Sequence, residues 1–250
     1  MLRELPPELI LAALARRREI NQALIEGQGL VVASGPFAGM TLPAEACWGD
    51  GDIAPKLLGL YEAELHPTIA KAAARRPASI VNIGCAEGYY AVGMARLLPD
   101  ARVIAYEKDE RGQDICRRAA AANGVADRCI VKGACSRESL LQVVSDIERT
   151  LLIVDCEGDE LTLLDPAHVD GLGRCDIIVE CHDFVDPQIT PVLQQRFVRS
   201  HDVETIVEGA RDPNGSAALR QWSGIDRWFA VNENRPVTMN WLACWSRGPA

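Results

Sequence analysis

Residues 81–90 read VNIGCAEGYY, a short apolar run that enters a turn of small residues and continues as a helical pattern. A strand, a glycine turn and a helix in this order are typical of nucleotide-binding α/β proteins. A dinucleotide site also needs a third glycine, which lets the helix pack closely against the strand. Tyr89 occupies that position here, and the turn has Gly84, Ala86 and Gly88 instead. The spacing favours a ligand that lies over the turn without a pyrophosphate.

An acidic residue ends the next apolar run at the distance that a ribose ligand requires. Glu107 closes the stretch ARVIAYE (101–107), about twenty residues past the glycine turn. A carboxylate there can accept hydrogen bonds from both ribose hydroxyls. An exposed acid at a strand end is the alternative, but its offset from the turn favours ribose binding.

From residue 78 onward, short apolar runs alternate with helical segments. Such alternation predicts βαβ units and a parallel sheet with helices on both faces. After residue 200 we expect two strands with no helix between them, paired antiparallel. The sequence thus predicts an α/β fold, a Rossmann-like doubly wound sheet of seven mostly parallel strands. Strands are expected at 78–86, 101–109, 128–136, 150–158, 175–184, 202–210 and 239–247, and helices at 89–98, 111–124, 137–148, part of 159–169 and 189–200.

The first 77 residues follow a different pattern, and Pro77 marks the predicted boundary with the domain at 78–250. A helix is expected at 7–26, a hairpin at 30–42 around Gly35, and a helix at 54–74 interrupted near His66 and Pro67. This N-terminal extension could cap the crevice at the strand ends or mediate contacts in a homodimer. Packing against the outer face of the sheet is the alternative role.

Composition limits the classes of partner. The chain has 250 residues, a net charge of −9 and a pI near 5.0, which argues against nucleic acid as a partner. The nine cysteines include no CxxC pair, and an odd number without metal-ligand spacing fits a reduced compartment. No apolar run approaches the roughly twenty residues of a membrane span, and the N-terminus has no signal-peptide pattern. We therefore expect a cytoplasmic protein with no membrane partner.

The region from 78 to about 185 contains five motifs whose order is more specific than any one of them alone. They are VNIGCAEGYYAVGMAR, ARVIAYEKDE, NGVADRCIVKGACS, LLIVDCEGDELTLL with its Asp-x-Glu-Gly-x-Glu pattern, and DIIVECHDF. Together they resemble a class I S-adenosylmethionine-dependent methyltransferase of the FkbM-like family. One departure is Asn82, where that family usually has Asp, so this position accepts a hydrogen bond without a charge.

The resemblance implies S-adenosylmethionine as the cofactor and gives each motif a role. The turn would line the methionine and ribose side, and Glu107 would bind the ribose with Lys108 beside the adenine. Asp155 would face the methionine end from the fourth strand. Cofactor contacts are implied for Asn82, Gly84, Cys85, Ala86, Glu87, Gly88, Tyr89, Glu107, Lys108, Ala134, Cys135 and Asp155.

Methyl transfer to a hydroxyl needs alignment and a base, and open α/β sheets present their ligands at the carboxyl ends of the strands. The candidates there are Asp155, Glu157, His182 and Asp183. An imidazole takes a hydroxyl proton near neutral pH, so His182 is the predicted base; the alternative is a histidine that only orients neighbouring acids. Asp159 and Glu160 are interpreted as structural, because the helix dipole favours acids in a first turn.

A divalent cation could also bind Asp155, His182 and Asp183 and lower the pKa of an acceptor hydroxyl. Metal-dependent methyltransferases of this class usually have an Asp-Asn or Asp-Asp pair where this chain has His-Asp. No metal site is therefore predicted.

The resulting hypothesis is an O-methyltransferase that acts on a hydroxyl of a small-molecule or sugar-containing metabolite. The hydroxyl preference rests on the resemblance, so N-methylation stays open. An NAD-dependent oxidoreductase is disfavoured by Tyr89 at the third glycine position. A non-catalytic cofactor-binding partner subunit is disfavoured by the joint presence of the glycine turn, Glu107 and Asp155.

Overall fold

A computed structural model of the protein describes residues 6–45, 53–146 and 149–248. Residues 147–148, the end of the helix predicted at 137–148, lie outside this part. So do residues 1–5, 46–52 and 249–250 of the predicted extension and domain.

The described residues form one sheet of seven strands in the order β3-β2-β1-β4-β5-β7-β6. Strand β7 runs antiparallel to both neighbours, and the other pairings are parallel. Every residue of β1 and β4 is buried, as expected for strands covered on both faces. The predicted fold class is confirmed. The strands are β1 (Ser79–Ile83), β2 (Arg102–Tyr106), β3 (Cys129–Lys132), β4 (Thr150–Val154), β5 (Asp176–Cys181), β6 (His201–Val207) and β7 (Asn240–Ser246).

Helices cover both faces of the sheet, and alternate strand residues face each layer. In β1, Ile80 packs into one hydrophobic cluster, while Val81 and Ile83 pack into the other. The first cluster includes residues of α1–α5 and α9, and the second includes residues of α6–α8. The helices are α1 (Pro7–Gln28), α2 (Ile53–Leu58), α3 (His66–Ala74), α4 (Tyr89–Leu97), α5 (Glu110–Ala122), α6 (Arg137–Asp146), α7 (Glu160–Leu163), α8 (Ile189–Phe197) and α9 (Gly224–Val231). In the described ranges, no helix combines the length and apolar character needed to cross a bilayer.

The extension shares the first cluster with the sheet, so it is packed against the domain. The ring of Phe37 lies on Gly93 in the middle of α4, where a Cβ would come within 2.6 Å of it. The predicted hairpin is reduced to one bridge between Val31 and Thr41. The helix is interrupted as predicted, but just before His66: α2 ends at Leu58, a 3-10 turn spans Ala63–Leu65, and α3 begins at His66. Pro67 lies in the first turn of α3, where its missing N–H costs nothing.

The expectation of no helix between the last two strands was wrong, because α9 lies there. Ser223 caps this helix, since its hydroxyl accepts a hydrogen bond from the Asp226 backbone N–H at 3.2 Å. A serine followed three residues later by an acid is a recognisable helix start. The helix is only eight residues long, so the sequence offers few residues over which a helical pattern can be recognised.

Candidate functional site

A cavity of about 230 Å³ lies at the carboxyl ends of the central strands. The register places Ile83 level with Tyr106 of β2 and Val154 of β4, so the residues that follow these strands meet at one edge. The cavity is lined by Lys56, Tyr61, Ile83, Gly84, Ala86, Glu87, Tyr106, Glu107, Lys108, Ala134, Cys135, Asp155, Cys156, Glu157, Asp159 and Leu163. Eight of the twelve predicted cofactor residues are in this set.

The glycine turn is fixed by close backbone contacts. Gly84 has a φ of +76°, and a Cβ there would lie 1.6 Å from the carbonyl oxygen of Asp155. Gly88 has a φ of +93°, and a Cβ would lie 2.8 Å from the Sγ of Cys116 on α5. A side chain at either position would push the first turn away from its neighbours, so both glycines are required by geometry.

Glu107 ties this turn to the end of β2. Its buried carboxylate accepts hydrogen bonds from the backbone N–H groups of Ala86 and Asp109, both at 2.8 Å. Each carboxylate oxygen has a second lone pair, so Glu107 can hold the turn and accept further hydrogen bonds from a ligand. Lys108 follows it into the cavity wall and is exposed to solvent.

Four predicted cofactor residues do not line the cavity: Asn82, Cys85, Gly88 and Tyr89. The amide of Asn82 is buried and donates a hydrogen bond to the Ile153 carbonyl at 3.2 Å. Cys85 is also buried, and the ring of Tyr89 packs edge-on against Phe37. The buried side chains of Asn82, Cys85 and Tyr89 therefore pack beside the glycine turn and do not face the cavity.

Three polar side chains converge at the ends of β4 and β5. The Nε2 of His182 lies 3.5 Å from the Oδ1 of Asp155 and 3.5 Å from the Oε2 of Glu157. The Nδ1 of the same ring is 2.5 Å from the Oε1 of Glu160, which is fully buried. The interpretation of Glu160 as merely structural was therefore incomplete, because this carboxylate orients the histidine.

These contacts shift the pKa values of His182 and Asp155. Burial alone would lower the pKa of His182, but the bond to Glu160 and the negative charges around the ring outweigh it, so the pKa is raised. Burial and the nearby carboxylates of Glu62 and Glu157 raise the pKa of Asp155 to about 8. The site therefore holds a proton more tightly than an ordinary carboxylate and imidazole would.

The structure does not bring Asp183 to this group. Its carboxylate accepts hydrogen bonds from the Thr190 backbone N–H at 2.9 Å and from the Thr190 hydroxyl at 2.7 Å, at the start of α8. Ligand atoms of Asp155, Glu157 and His182 lie within 4.8 Å of one another, so these residues could hold a divalent cation. Glu157 takes the place that the sequence had suggested for Asp183.

A buried network of ion pairs lies near the ends of β4 and β5. Arg235, between β6 and β7, pairs with Glu62 of the extension at 2.6 Å, with Glu233 at 3.1 Å, and with Glu180 on β5. Burial would lower the pKa of Arg235, but Glu62 and Glu180 outweigh it and raise the pKa. The network thus joins the extension and the β6–β7 connection to the end of β5.

Sequence reasoning missed Lys56 among the lining residues and Glu160 behind His182. Lys56 was recognisable only as a lone charge in the apolar stretch APKLLGL (54–60). Glu160 was recognisable as the last acid of the Asp-x-Glu-Gly-x-Glu pattern, but its contact with His182 had no signal, because the two are 22 residues apart and the fold alone brings them together.

Solved structures of similar fold are known. The cofactor-bound protein Rv0187 from MTB has a TM-score of 0.53 and 14% identity, with 99% of this chain and 100% of that chain covered. The human methyltransferase 10 domain containing protein has a TM-score of 0.51 and 14% identity, with 94% and 96% covered. An O-methyltransferase from Bacillus cereus in complex with SAH has a TM-score of 0.49 and 15% identity, with 93% and 91% covered.

No family model matches the sequence, and none of the curated proteins compared with it matches either. The resemblance to the FkbM-like family therefore stays a prediction. The strand order and the structural matches above a TM-score of 0.5 show that the chain has the Rossmann-like α/β fold found in methyltransferases.

Proposed function

We propose that this protein is an S-adenosylmethionine-dependent methyltransferase, of the FkbM-like kind, that methylates a hydroxyl of a small-molecule or sugar-containing metabolite. One observation carries the proposal: the glycine turn anchored by Glu107 and the group formed by Asp155 and His182 meet at the same edge of the sheet. The first suits an adenosyl ligand, and the second suits proton removal beside it.

The residues present fit the cofactor. Both ribose hydroxyls can donate to Glu107, whose oxygens already accept one backbone N–H each. Ala134 and Cys135 supply a wall for the adenine, and the turn from Gly84 to Glu87 lines the path toward Asp155. Once bound, the cofactor would supply a methyl group on a sulfonium, which is already activated for displacement.

The remaining chemistry belongs to the chain. An acceptor hydroxyl held against His182 would give its proton to Nε2, which would leave an oxygen nucleophile next to the place where the cofactor would present its methyl group. Glu160 fixes the ring by binding Nδ1, which leaves Nε2 directed at the reacting end. Its negative charge also stabilises the imidazolium that forms.

A second candidate is N-methylation, and the excess of acids favours it. Asp155, Glu157 and Glu160 surround one histidine at the reacting end. Such a group attracts a cationic amine, which must then lose a proton before it attacks the methyl group. An acceptor screen must therefore contain both hydroxyls and amines.

The test is transfer of a labelled methyl group from S-adenosylmethionine to a panel of metabolite hydroxyls and amines. With an accepted hydroxyl, His182→Ala is expected to lower turnover by about 10²- to 10⁴-fold and leave cofactor affinity nearly unchanged. His168→Ala is the matched control, because this exposed histidine only pairs with Asp165.

The outcomes separate the candidates. Transfer only to amines would replace O-methylation by N-methylation as the proposed reaction. Unchanged turnover in His182→Ala would show that His182 is not the base. Loss of transfer in EDTA with recovery in Mg²⁺ would assign Asp155, Glu157 and His182 to a cation instead.

A further inference from the structure

Lys56 is a buried cation that the N-terminal extension contributes to the cavity. It lies on α2, and its side chain is only 7% exposed, yet it lines the cavity beside Tyr61. An ammonium is almost never buried without a partner, because desolvation disfavours its charge. Its position therefore needs a physical reason.

Part of that reason is visible in its contacts. The ammonium forms an ion pair with Glu87 of the glycine turn, and it lies 4.7 Å from the ring centroid of Tyr61 and 5.6 Å from that of Tyr89. The carboxylate and the ring faces compensate the positive charge. Lys56 is thus held at the glycine turn through Glu87 and the two tyrosine rings.

Charges are distributed unequally along the cavity. Among the described lining residues the lysines are Lys56 and Lys108, and Lys108 directly follows Glu107 at the ribose end. The lining acids besides Glu107 and Asp159 are Glu87 in the glycine turn and Asp155 and Glu157, which follow β4. An anionic group that enters beside Glu87 finds its counter-charge in Lys56, and a cationic group finds several carboxylates.

We propose that Lys56 binds the α-carboxylate of the methionine part of the cofactor, which rests on the proposed function. The amino-acid end of that molecule is a zwitterion, and this end of the cavity offers a cation next to acids. An ammonium has three N–H donors, so Lys56 can bind Glu87 and a ligand carboxylate together. The extension then contributes to cofactor recognition, and Glu87 and Glu157 are the lining acids available to the ligand ammonium.

The experiment measures the affinity of two probes by calorimetry. One is S-adenosylhomocysteine, and the other is its decarboxylated analogue S-adenosyl-3-thiopropylamine, which keeps the amine and lacks the carboxylate. The wild-type protein is expected to prefer the first probe on the order of 10- to 100-fold, as for a hydrogen-bonded charge pair. In Lys56→Met the ratio of the two affinities is expected to fall close to one.

Lys108→Met is the matched control, because it removes the other lysine of the cavity and is expected to keep the wild-type ratio. If Lys56→Met fails to fold around the unpaired Glu87, the double variant Lys56→Met/Glu87→Gln removes both charges. Glu87→Gln alone is expected to keep the preference, so the double variant still isolates the lysine.

Two results would overturn the assignment: no preference in the wild type, or a preference that survives in Lys56→Met, including one in which both probes are weakened equally. Equal weakening would mean that Lys56 only supports the turn. A wild-type protein that binds neither probe would instead refute the proposed cofactor, so the two failures are distinguishable.

Discussion

The two ends of the cavity are built in different ways. At the cofactor end, backbone fixes the geometry: Gly84 lies against the Asp155 carbonyl, and Glu107 holds two backbone N–H groups. At the reacting end, where Asp155 and Glu157 line the cavity and the buried His182 lies next to them, side chains from separate elements fix it, with Glu160 of α7 holding His182 after β5. The first arrangement is rigid and tolerates little change, whereas the second can change its chemistry while the fold persists.

The largest effect is expected from Gly84→Ala at the cofactor end. A Cβ at 1.6 Å from the Asp155 carbonyl oxygen cannot be accommodated, and the φ of +76° adds strain. We expect a loss of about 4 kcal/mol or more in the free energy of unfolding, measured by denaturant titration.

Two other glycines make graded controls for that substitution. Gly124 has a φ of +67° with nothing within 4 Å of a Cβ, so Gly124→Ala should cost only about 1–2 kcal/mol. Gly133 has open space and no positive φ, so Gly133→Ala should change stability by less than about 0.5 kcal/mol. Equal losses in the free energy of unfolding at all three positions would contradict the claim that the backbone around Gly84 fixes the turn.

A smaller effect is expected from Glu160→Gln at the reacting end, which keeps the shape and removes the charge. Turnover should fall about 10- to 100-fold, because the amide holds the ring less firmly. Glu160 raises the pKa of His182, and a base works in its neutral form, so the rise of rate with pH should move to lower pH in the variant.

The pH–rate profile of Asp159→Asn is the matched comparison, because this neighbouring acid is exposed and makes no bond to the histidine. A profile of Glu160→Gln that coincides with the wild type would mean that Glu160 does not act through the ring.

The smallest effect is expected from Asp155→Asn. The folded protein holds a proton on Asp155 up to a pH of about 8, whereas the unfolded chain releases it near 3.8. Stability of the wild type should therefore fall as the pH rises between these values, since the folded state binds more protons. The side chain of Asp155 is 38% exposed, so solvent screens part of this effect.

At pH 8, Asp155→Asn should be more stable than the wild type by about 1 kcal/mol. Thermal unfolding across the pH range measures this, and the exposed Asp170→Asn serves as control. The same pH slope in Asp155→Asn and the wild type would disprove the raised pKa.

The sequence was informative where geometry depends on local pattern. The seven strands, the turn at 84–88 and Glu107 could be predicted, because apolar runs and glycine spacing reflect backbone requirements directly. The bond between Glu160 and His182 could not, because it depends on how the ends of β4 and β5 align in the sheet. Lys56 was missed for a similar reason, since the packing of the extension decides what its helix faces.

The central claim is that the cavity binds S-adenosylmethionine, and calorimetric titration of the wild-type protein tests it most directly. We predict binding of S-adenosylmethionine and of S-adenosylhomocysteine at one site per chain, with no binding of NAD, because Tyr89 replaces the third glycine of a dinucleotide turn. Binding of NAD without binding of either adenosyl compound would contradict the account.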